Sequence, residues 1–344
     1  MFISVVLPFR NARRTLARCL ESLVSQSLQE WELIAVDNGS SDGSASIVKE
    51  FIARHSGHRI RLVTEEAVGA SAARNRGVRE AQGDWIAFTD ADCIADPEWI
   101  EDLAAAACSD DPTIGGVAGR ILPADTDGAV GKLLGLYTLP ANPSERSFDS
   151  YTLTQGGFPT ANLMVRRNVF ESVGGFDESI TIYGEDHVLC MRMYERGARI
   201  KAVTNAIVRH VHREGIGAML RQAFGFGRSH GLLLSRMKSG MLLIETPVGT
   251  LRRMRAPRVW LDLNQADKKM VVMVAAALTW WPFAVLPLLY LFYLAVCVAV
   301  RARRRECGMA FFETLFVAVL LLLKSGALTC GRVKGAVRYK VFCL

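Results

Sequence analysis

Asp90-Ala91-Asp92 and Glu185-Asp186 are the carboxylates in this chain whose spacing best suits chemistry. The apolar run Trp85-Ile86-Ala87-Phe88 has strand character and ends just before the first pair. Successive strand side chains alternate, so Asp90 and Asp92 share a face if the extended chain continues. Two acids leaving the end of a buried strand repel each other unless a cation sits with them. Hard divalent ions take carboxylates plus substrate phosphates as ligands, so the pair suggests a metal–diphosphate site. Asp-X-Asp also arises by chance in loops, so its neighbours must decide.

Four further groups bear on that choice. Asp37 closes a second strand and could accept hydrogen bonds from a base or ribose; turn formation in Asp37-Asn38-Gly39-Ser40 is the simpler alternative. In Gly69-Ala70-Ser71-Ala72-Ala73-Arg74-Asn75-Arg76-Gly77, small residues permit close approach and Arg74 can face a phosphate; a tightly packed helix would use the same glycines. Glu185-Asp186 open a helix, where the dipole favours acids, and could also supply a general base for a hydroxyl. His210-Val211-His212, followed by Arg213, could give one nitrogen to a metal. Arg221 and Arg228 beyond it could hold a diphosphate.

The elements that must position these groups alternate. Strands are expected at 3–7, 32–36, 60–64 and 85–88. Helices are expected at 13–25, 44–54, 69–81 and after Asp96-Pro97, read as an N-cap with Pro at the first helical position. Repeated units of this size imply an α/β fold with a mostly parallel sheet covered on both faces. Residues 123–160 lose periodicity and are expected as an irregular insertion. A strand at 162–165, a helix at 185–196, strands at 199–203 and 206–210 and a helix at 216–234 follow.

Residues 271–300 hold no charge, between Lys268-Lys269 and Arg301. As one helix they would reach about 45 Å against a hydrocarbon core of about 30 Å, so a kinked span or a compressed hairpin is expected. Pro282 and Pro287 lie inside the run. A second apolar run, 309–323, contains Glu313. Residues 251–344 carry 15 Lys/Arg and 4 Asp/Glu, and the other 250 carry 26 and 30, so the net +7 comes from the tail. That balance argues against a nucleic-acid-binding body and for a basic segment at a membrane. Eight cysteines show no CxxC pair and no zinc spacing, which fits a reducing compartment. Met1-Phe2-Ile3-Ser4-Val5-Val6-Leu7-Pro8 lacks a basic n-region and reads as a first strand rather than a signal peptide.

Val5-Val6-Leu7-Pro8-Phe9-Arg10-Asn11, Val36-Asp37-Asn38-Gly39-Ser40-Ser41-Asp42-Gly43, Ala73-Arg74-Asn75-Arg76-Gly77, Asp90-Ala91-Asp92, Gly174-Gly175-Phe176-Asp177, Gly184-Glu185-Asp186 and His210-Val211-His212 occur in that order. Together they resemble the family 2 glycosyltransferases, across about residues 3–235. The resemblance implies a Rossmann-like GT-A nucleotide-diphospho-sugar transferase fold and an inverting, hexosyl-type transfer dependent on Mg²⁺ or Mn²⁺. It implies donor contacts by Pro8, Asp37 (nucleobase), Arg74, Asp90 (ribose) and Arg228 (phosphate). It implies metal ligation by Asp92 and His210, and catalysis at Glu185-Asp186 with Asp186 as base. The Gln-X-X-Arg-Trp motif of processive synthases is missing, so transfer of a single sugar is expected.

The expected partners are a nucleotide-sugar donor, a lipid-linked or glycan acceptor and membrane lipid, with no nucleic acid. Residues 1–240 are expected as the catalytic domain, 241–268 as a basic juxtamembrane linker and 269–344 as the membrane region. The catalytic domain is expected on the cytoplasmic face of an inner or plasma membrane. A sugar-phosphate nucleotidyltransferase would carry a Gly-rich basic loop after the first strand, where Pro8-Phe9-Arg10-Asn11 stands. A dinucleotide-dependent oxidoreductase would need Gly-X-Gly-X-X-Gly there. An inactive membrane scaffold would have no use for Asp37, Asp92 and Asp186 together.

Overall fold

The computed structural model describes residues 1–108, 111–124, 128–137, 145–181, 183–212, 215–238, 240–304 and 307–344. Parts of the expected insertion, 125–127 and 138–144, lie outside these residues, as does Arg213. The chain divides into two compact units, Met1–Ala124 with Pro140–Val211, and Asp125–Leu139 with His212–Leu344.

In chain order the elements are β1 (Ile3–Phe9), α1 (Leu16–Val24), β2 (Trp31–Asp37), α2 (Ser44–Arg54), β3 (Ile60–Thr64), α3 (Ala70–Glu80), β4 (Trp85–Phe88), β5 (Cys93–Ala95), α4 (Trp99–Ala107), β6 (Ile114–Pro123), α5 (Ala129–Tyr137), β7 (Arg146–Phe148), β8 (Leu163–Arg166), α6 (Arg167–Ser172), α7 (Glu185–Glu195) and β9 (Arg199–His210). Then come α8 (Ile216–Arg236), β10 (Met241–Thr246), β11 (Gly249–Met254), β12 (Val259–Asp262), α9 (Ala266–Thr279), α10 (Val285–Arg304), α11 (Phe311–Tyr339) and β13 (Phe342–Cys343).

In the first unit the strands follow the order β3-β2-β1-β4-β8-β6-β9-β5, with β7 on β9. The first four are mutually parallel, as the alternating sequence pattern requires. β1 and β2 are buried almost throughout, so they read as continuous apolar runs. All four end on one edge, at Phe9, Asp37, Thr64 and Phe88. β8 runs antiparallel to both β4 and β6, which makes the other half of the sheet mixed.

Several boundaries differ from expectation. The two short strands at 199–203 and 206–210 are one strand, β9, whose register with β6 shifts between Ala118 and Arg120. A Cβ on Gly119 would overlap the Ala206 carbonyl and the Asn162 amide. Buried Asn162 fills the irregularity, donating through Nδ2 to Arg120 O (2.9 Å) and Ala206 O (3.0 Å). α4 starts at Trp99, not after Asp96. The Asp96 carboxylate instead takes a forked pair of bonds from Arg209, Nε at 2.9 Å and Nη2 at 3.1 Å. That forked, charge-assisted pair engages both carboxylate oxygens. The insertion contains α5 and β7. Val130, Leu133 and Leu134 of α5 are buried, but Gly128, Gly131 and Gly135 weaken the helical signal.

The second unit is built on α5, α8, α9, α10 and α11 with a four-stranded sheet, β11-β10-β12-β13. Its apolar cluster joins Leu133, Met219, Tyr290, Leu294, Val298, Val317 and Leu320. Residues 241–268, expected as a linker, hold three strands and the start of α9, because alternate residues of β10 bury Met241 and Leu243. The uncharged run is broken after Thr279: Trp280 is extended (φ −154°, ψ 123°) and Pro282 sits in a short 3-10 turn. Two helices, Trp281–Arg304 and Phe311–Tyr339, are long and apolar enough to cross a membrane by length and composition.

Close helix packing in the first unit generates one test. A Cβ at Gly77 of α3 would overlap Val6 of β1 and approach Val36 of β2 to 3.2 Å. Gly77→Val is expected to cost about 1–3 kcal/mol through overpacking, read as a lower thermal midpoint.

Candidate active site

The site forms where the four parallel strands end. Pro8 lies near the end of β1 beside Val36 of β2, and Phe9 pairs Asp37 in register. Asp37 is 8% exposed, and its Oδ1 accepts the Ser40 N–H at 2.9 Å. The turn chemistry read in the sequence is therefore present, and it holds the carboxylate at the strand tip. Asp42 also accepts backbone donors, from Arg13 (3.0 Å) and Ser44 (3.0 Å), although Gly43 is the formal cap of α2.

Two asparagines with no distinctive spacing knit the loops here. Asn38 donates to Glu65 O (2.9 Å) and Ala67 O (2.8 Å) and accepts from Gly69 N (2.8 Å). Asn11, in left-handed backbone (φ 53°), accepts from Ser41 N at 2.8 Å. Each serves backbone groups that no strand partner satisfies. Only adjacency to Asp37 or to the first strand marked them in the sequence.

Arg74 is the hub. It is 4% exposed, not aimed at solvent as a phosphate-facing cation would be. Nη2 donates to Asp90 Oδ1 at 2.8 Å and Nη1 to Glu185 Oε1 at 2.9 Å. Its Cζ lies 5.6 Å from the centre of the Phe176 ring. Its Nε is buried and has no hydrogen-bond partner among the described residues. Burial works against the Arg74 charge, but Asp90 and Glu185 outweigh it and hold the guanidinium above its ordinary range. The reason for the departure from expectation is electrostatic: a buried cation needs carboxylates, and two lie within reach. Asn75 extends the same link, accepting from Phe176 N (2.9 Å) and donating to Glu178 Oε1 (2.8 Å). Through these contacts α3 sets where the segment leading into α7 can run.

α7 begins at Glu185 after Gly184, whose φ of 103° suits glycine. Glu185 is pushed up by burial and by Asp186, with Arg74 opposing. Among the described residues only the His187 N–H donates to Asp186, reaching Oδ1 at 2.8 Å. His187 meets the buried Tyr151 hydroxyl through Nδ1 at 3.1 Å, a contact with no sequence signal.

Asp92, Cys93 and His210 offer ligand atoms that all lie within 4.8 Å of one another. His210 Nε2 lies 3.4 Å from Asp92 Oδ1. β5 brings them together: Cys93 faces His210 in register, and Val211 N donates to Asp92 O at 2.8 Å. A carboxylate with an imidazole suits Mg²⁺ less well than Mn²⁺, which accepts nitrogen more readily. Burial raises the Cys93 thiol well above its ordinary value, with Asp92 adding to it. Arg228 lies on α8 in the second unit. Its Nε is buried without a hydrogen-bond partner among the described residues.

The mixed α/β sheet, parallel in one half and acidic at its carboxyl edge, is of the GT-A type. A mannosyltransferase from Pyrobaculum calidifontis, PcManGT, solved in complex with GDP-Man and Mn²⁺, superposes over 97% of this chain and 86% of its own, with a TM-score of 0.56 at 17% identity. That likeness concerns the fold. Residues 4–174 match glycosyl transferase family 2, and the chain belongs to that family through this domain; it is a glycosyltransferase. The glycosyltransferase AglE of Haloferax volcanii is 28% identical over 238 residues, 66% of this chain and 72% of that protein. The pre-mycofactocin glycosyltransferase of Mycobacterium tuberculosis is 32% identical over 241 residues, 68% of this chain and 48% of that protein. The chain thus spans about half the length of this second relative.

Removing the hub charge has a signed consequence. Arg74→Gln leaves two carboxylates without their cation and is expected to cost about 3–5 kcal/mol. A carboxyl held above its unfolded value adds stability while protonated and loses it as pH rises through the folded pKa. Without Arg74, Glu185 goes higher still. The gap in thermal midpoint between wild type and variant is therefore expected to widen as pH rises above the ordinary carboxylate range.

Proposed function

We propose that this chain is an inverting transferase that moves one sugar from a nucleotide-diphosphate donor to a hydroxyl of a lipid-linked or glycan acceptor, in building cell-surface polysaccharide or glycolipid. The observation that carries the reading is the Arg74 bridge, which joins the Asp-X-Asp turn to the Glu185-Asp186 helix in one unit. Donor-side and acceptor-side carboxylates are thereby held together, as in-line displacement needs.

In this reading Asp37 and Asp90 receive hydrogen bonds from the nucleoside, Asp37 from the base and Asp90 from the ribose. Pro8 shapes the floor beside Asp37. Asp92 and His210 hold Mg²⁺ or Mn²⁺, which when bound neutralises charge growing on the departing diphosphate. PcManGT, with GDP-Man and Mn²⁺ bound, supports a nucleotide-sugar donor and a metal here. Asp186 is the base. Glu185 is engaged by Arg74, so it positions the helix, while Asp186 keeps an oxygen for the acceptor proton. The acceptor hydroxyl loses its proton to Asp186 and attacks the anomeric carbon opposite the diphosphate. The C–O bond to the diphosphate breaks as the new one forms, which inverts the centre.

The lipid-linked acceptor and a membrane location rest on the two long apolar helices and the basic tail in the same chain. In this reading the catalytic unit works on the cytoplasmic face, which the eight cysteines without a paired spacing support.

Asp186→Asn is expected to lower turnover by about 10²–10⁴-fold while nucleotide affinity, followed by calorimetry, changes little; undiminished turnover would remove Asp186 as base. Mn²⁺ with nucleoside diphosphate is expected to raise the thermal midpoint of the wild type, and Asp92→Ala to abolish that rise. A stabilisation that persists in the variant would place the metal elsewhere.

A further inference from the structure

The second unit carries a strand that the proposed function leaves unused. β11 is exposed along its whole length. It pairs with β10 on one edge, and its other edge closes the sheet order β11-β10-β12-β13. Pro247 and Val248 turn the hairpin between paired Thr246 and Gly249, and Val248 is 97% exposed. Leu251 and Met254 are also exposed, as are Arg252, Arg253 and Arg255.

Alternation puts Leu251 and Arg253 on one face of β11 and Arg252 and Met254 on the other. Each face thus mixes an apolar side chain with a cation. A strand packed on its own protein would show one dry face and one wet one. The carboxylates of this sheet are turned inward. Glu245 Oε2 accepts Trp260 Nε1 at 2.8 Å, and Asp262 Oδ2 meets Arg332 Nη1 at 3.2 Å. The outward charge of the hairpin is therefore basic.

The hairpin has a rigid root. β12 leads into α9, and β13 follows α11 and pairs with β12. Trp260 of β12 packs 4.2 Å under the Arg332 guanidinium of α11 and 4.5 Å from the His230 ring of α8. The arm is thus tied to a helix long and apolar enough to cross a membrane.

We propose that the β10–β11 hairpin is a docking arm for anionic phospholipid headgroups. Val248, Leu251 and Met254 enter the interface, and Arg252, Arg253 and Arg255 pair with lipid phosphates. Exposed arginines beside apolar side chains match that surface on both counts. The competing occupant, a second copy adding to the open edge of β11, would bring arginines opposite arginines, which opposes pairing. The proposal rests on the reading of this unit as membrane-bound.

The test uses the full chain in nanodiscs of phosphatidylcholine alone or mixed with phosphatidylglycerol. Amide hydrogen exchange at residues 248–254 is expected to slow several-fold only when the anionic lipid is present. The triple variant R252Q/R253Q/R255Q is expected to lose that protection while donor turnover stays at the wild-type level. Equal exchange in the two lipids, or protection unchanged in the variant, overturns the proposal. Protection that appears in detergent and grows with protein concentration also overturns it, in favour of a strand-paired second copy. Alkaline carbonate extraction of native membranes is scored separately. Release of the chain there takes down the membrane reading, while exchange in the anionic nanodiscs scores the hairpin by itself.

Discussion

The first unit depends on a buried guanidinium. Arg74 sits where little solvent can screen its charge, so the fold must deliver carboxylates to it. It takes one from the turn after β4 and one from the start of α7. These segments are far apart in the chain, and Arg74 of α3 reaches both; Gly77 lets the same helix rest on Val6 and Val36. Net stability from such a bridge is modest, since desolvation offsets much of the attraction. Its stronger effect is on geometry: wrong placements of α7 would leave a charge buried and unpaired.

The carboxyl edge of the parallel strands needs a second kind of control. Loops leaving such an edge carry backbone donors and acceptors that the sheet no longer satisfies. Asn11 and Asn38 supply those partners and lock the loops after β1, β2 and β3 to one another. On the mixed half, the irregularity opposite Gly119, filled by Asn162, belongs to the same strand that ends at His210 beside Asp92. A bulge commonly re-aims a strand end next to a functional site.

In the second unit, packing is set by small residues. Gly227 and Gly231 of α8 face Gly331 and Gly335 of α11 so closely that a Cβ at any of them would collide with backbone of the opposite helix. Both pairs have four-residue spacing, the pattern that lets helices approach where apolar burial offers little drive. Arg332 sits between these glycines, 2% exposed, with Asp262 and His230 as partners. A polar knot of this kind fixes the register of two helices whose glycines alone would let them slide.

The strands and helices of the first unit were largely legible, because periodicity and buried apolar runs are local properties. The family motifs were legible for a related reason: a strand tip, a turn and a helix start each constrain a few adjacent residues. The chain order of Asp37, Asp90-Ala91-Asp92, Glu185-Asp186 and His210 was thus readable, as was the acidic carboxyl edge. The strands within 241–268 were not legible because strands packed on distant partners leave no strong local period, and α5 was hidden by its glycines. Arg74 shows the limit most clearly. Its type and its place on a helix follow from the sequence, but a guanidinium can serve a phosphate or a carboxylate equally well by chemistry alone. Tertiary structure decided for Asp90 and Glu185, because packing α3 against β1 and β2 removed water from the charge and left those two oxygens within reach.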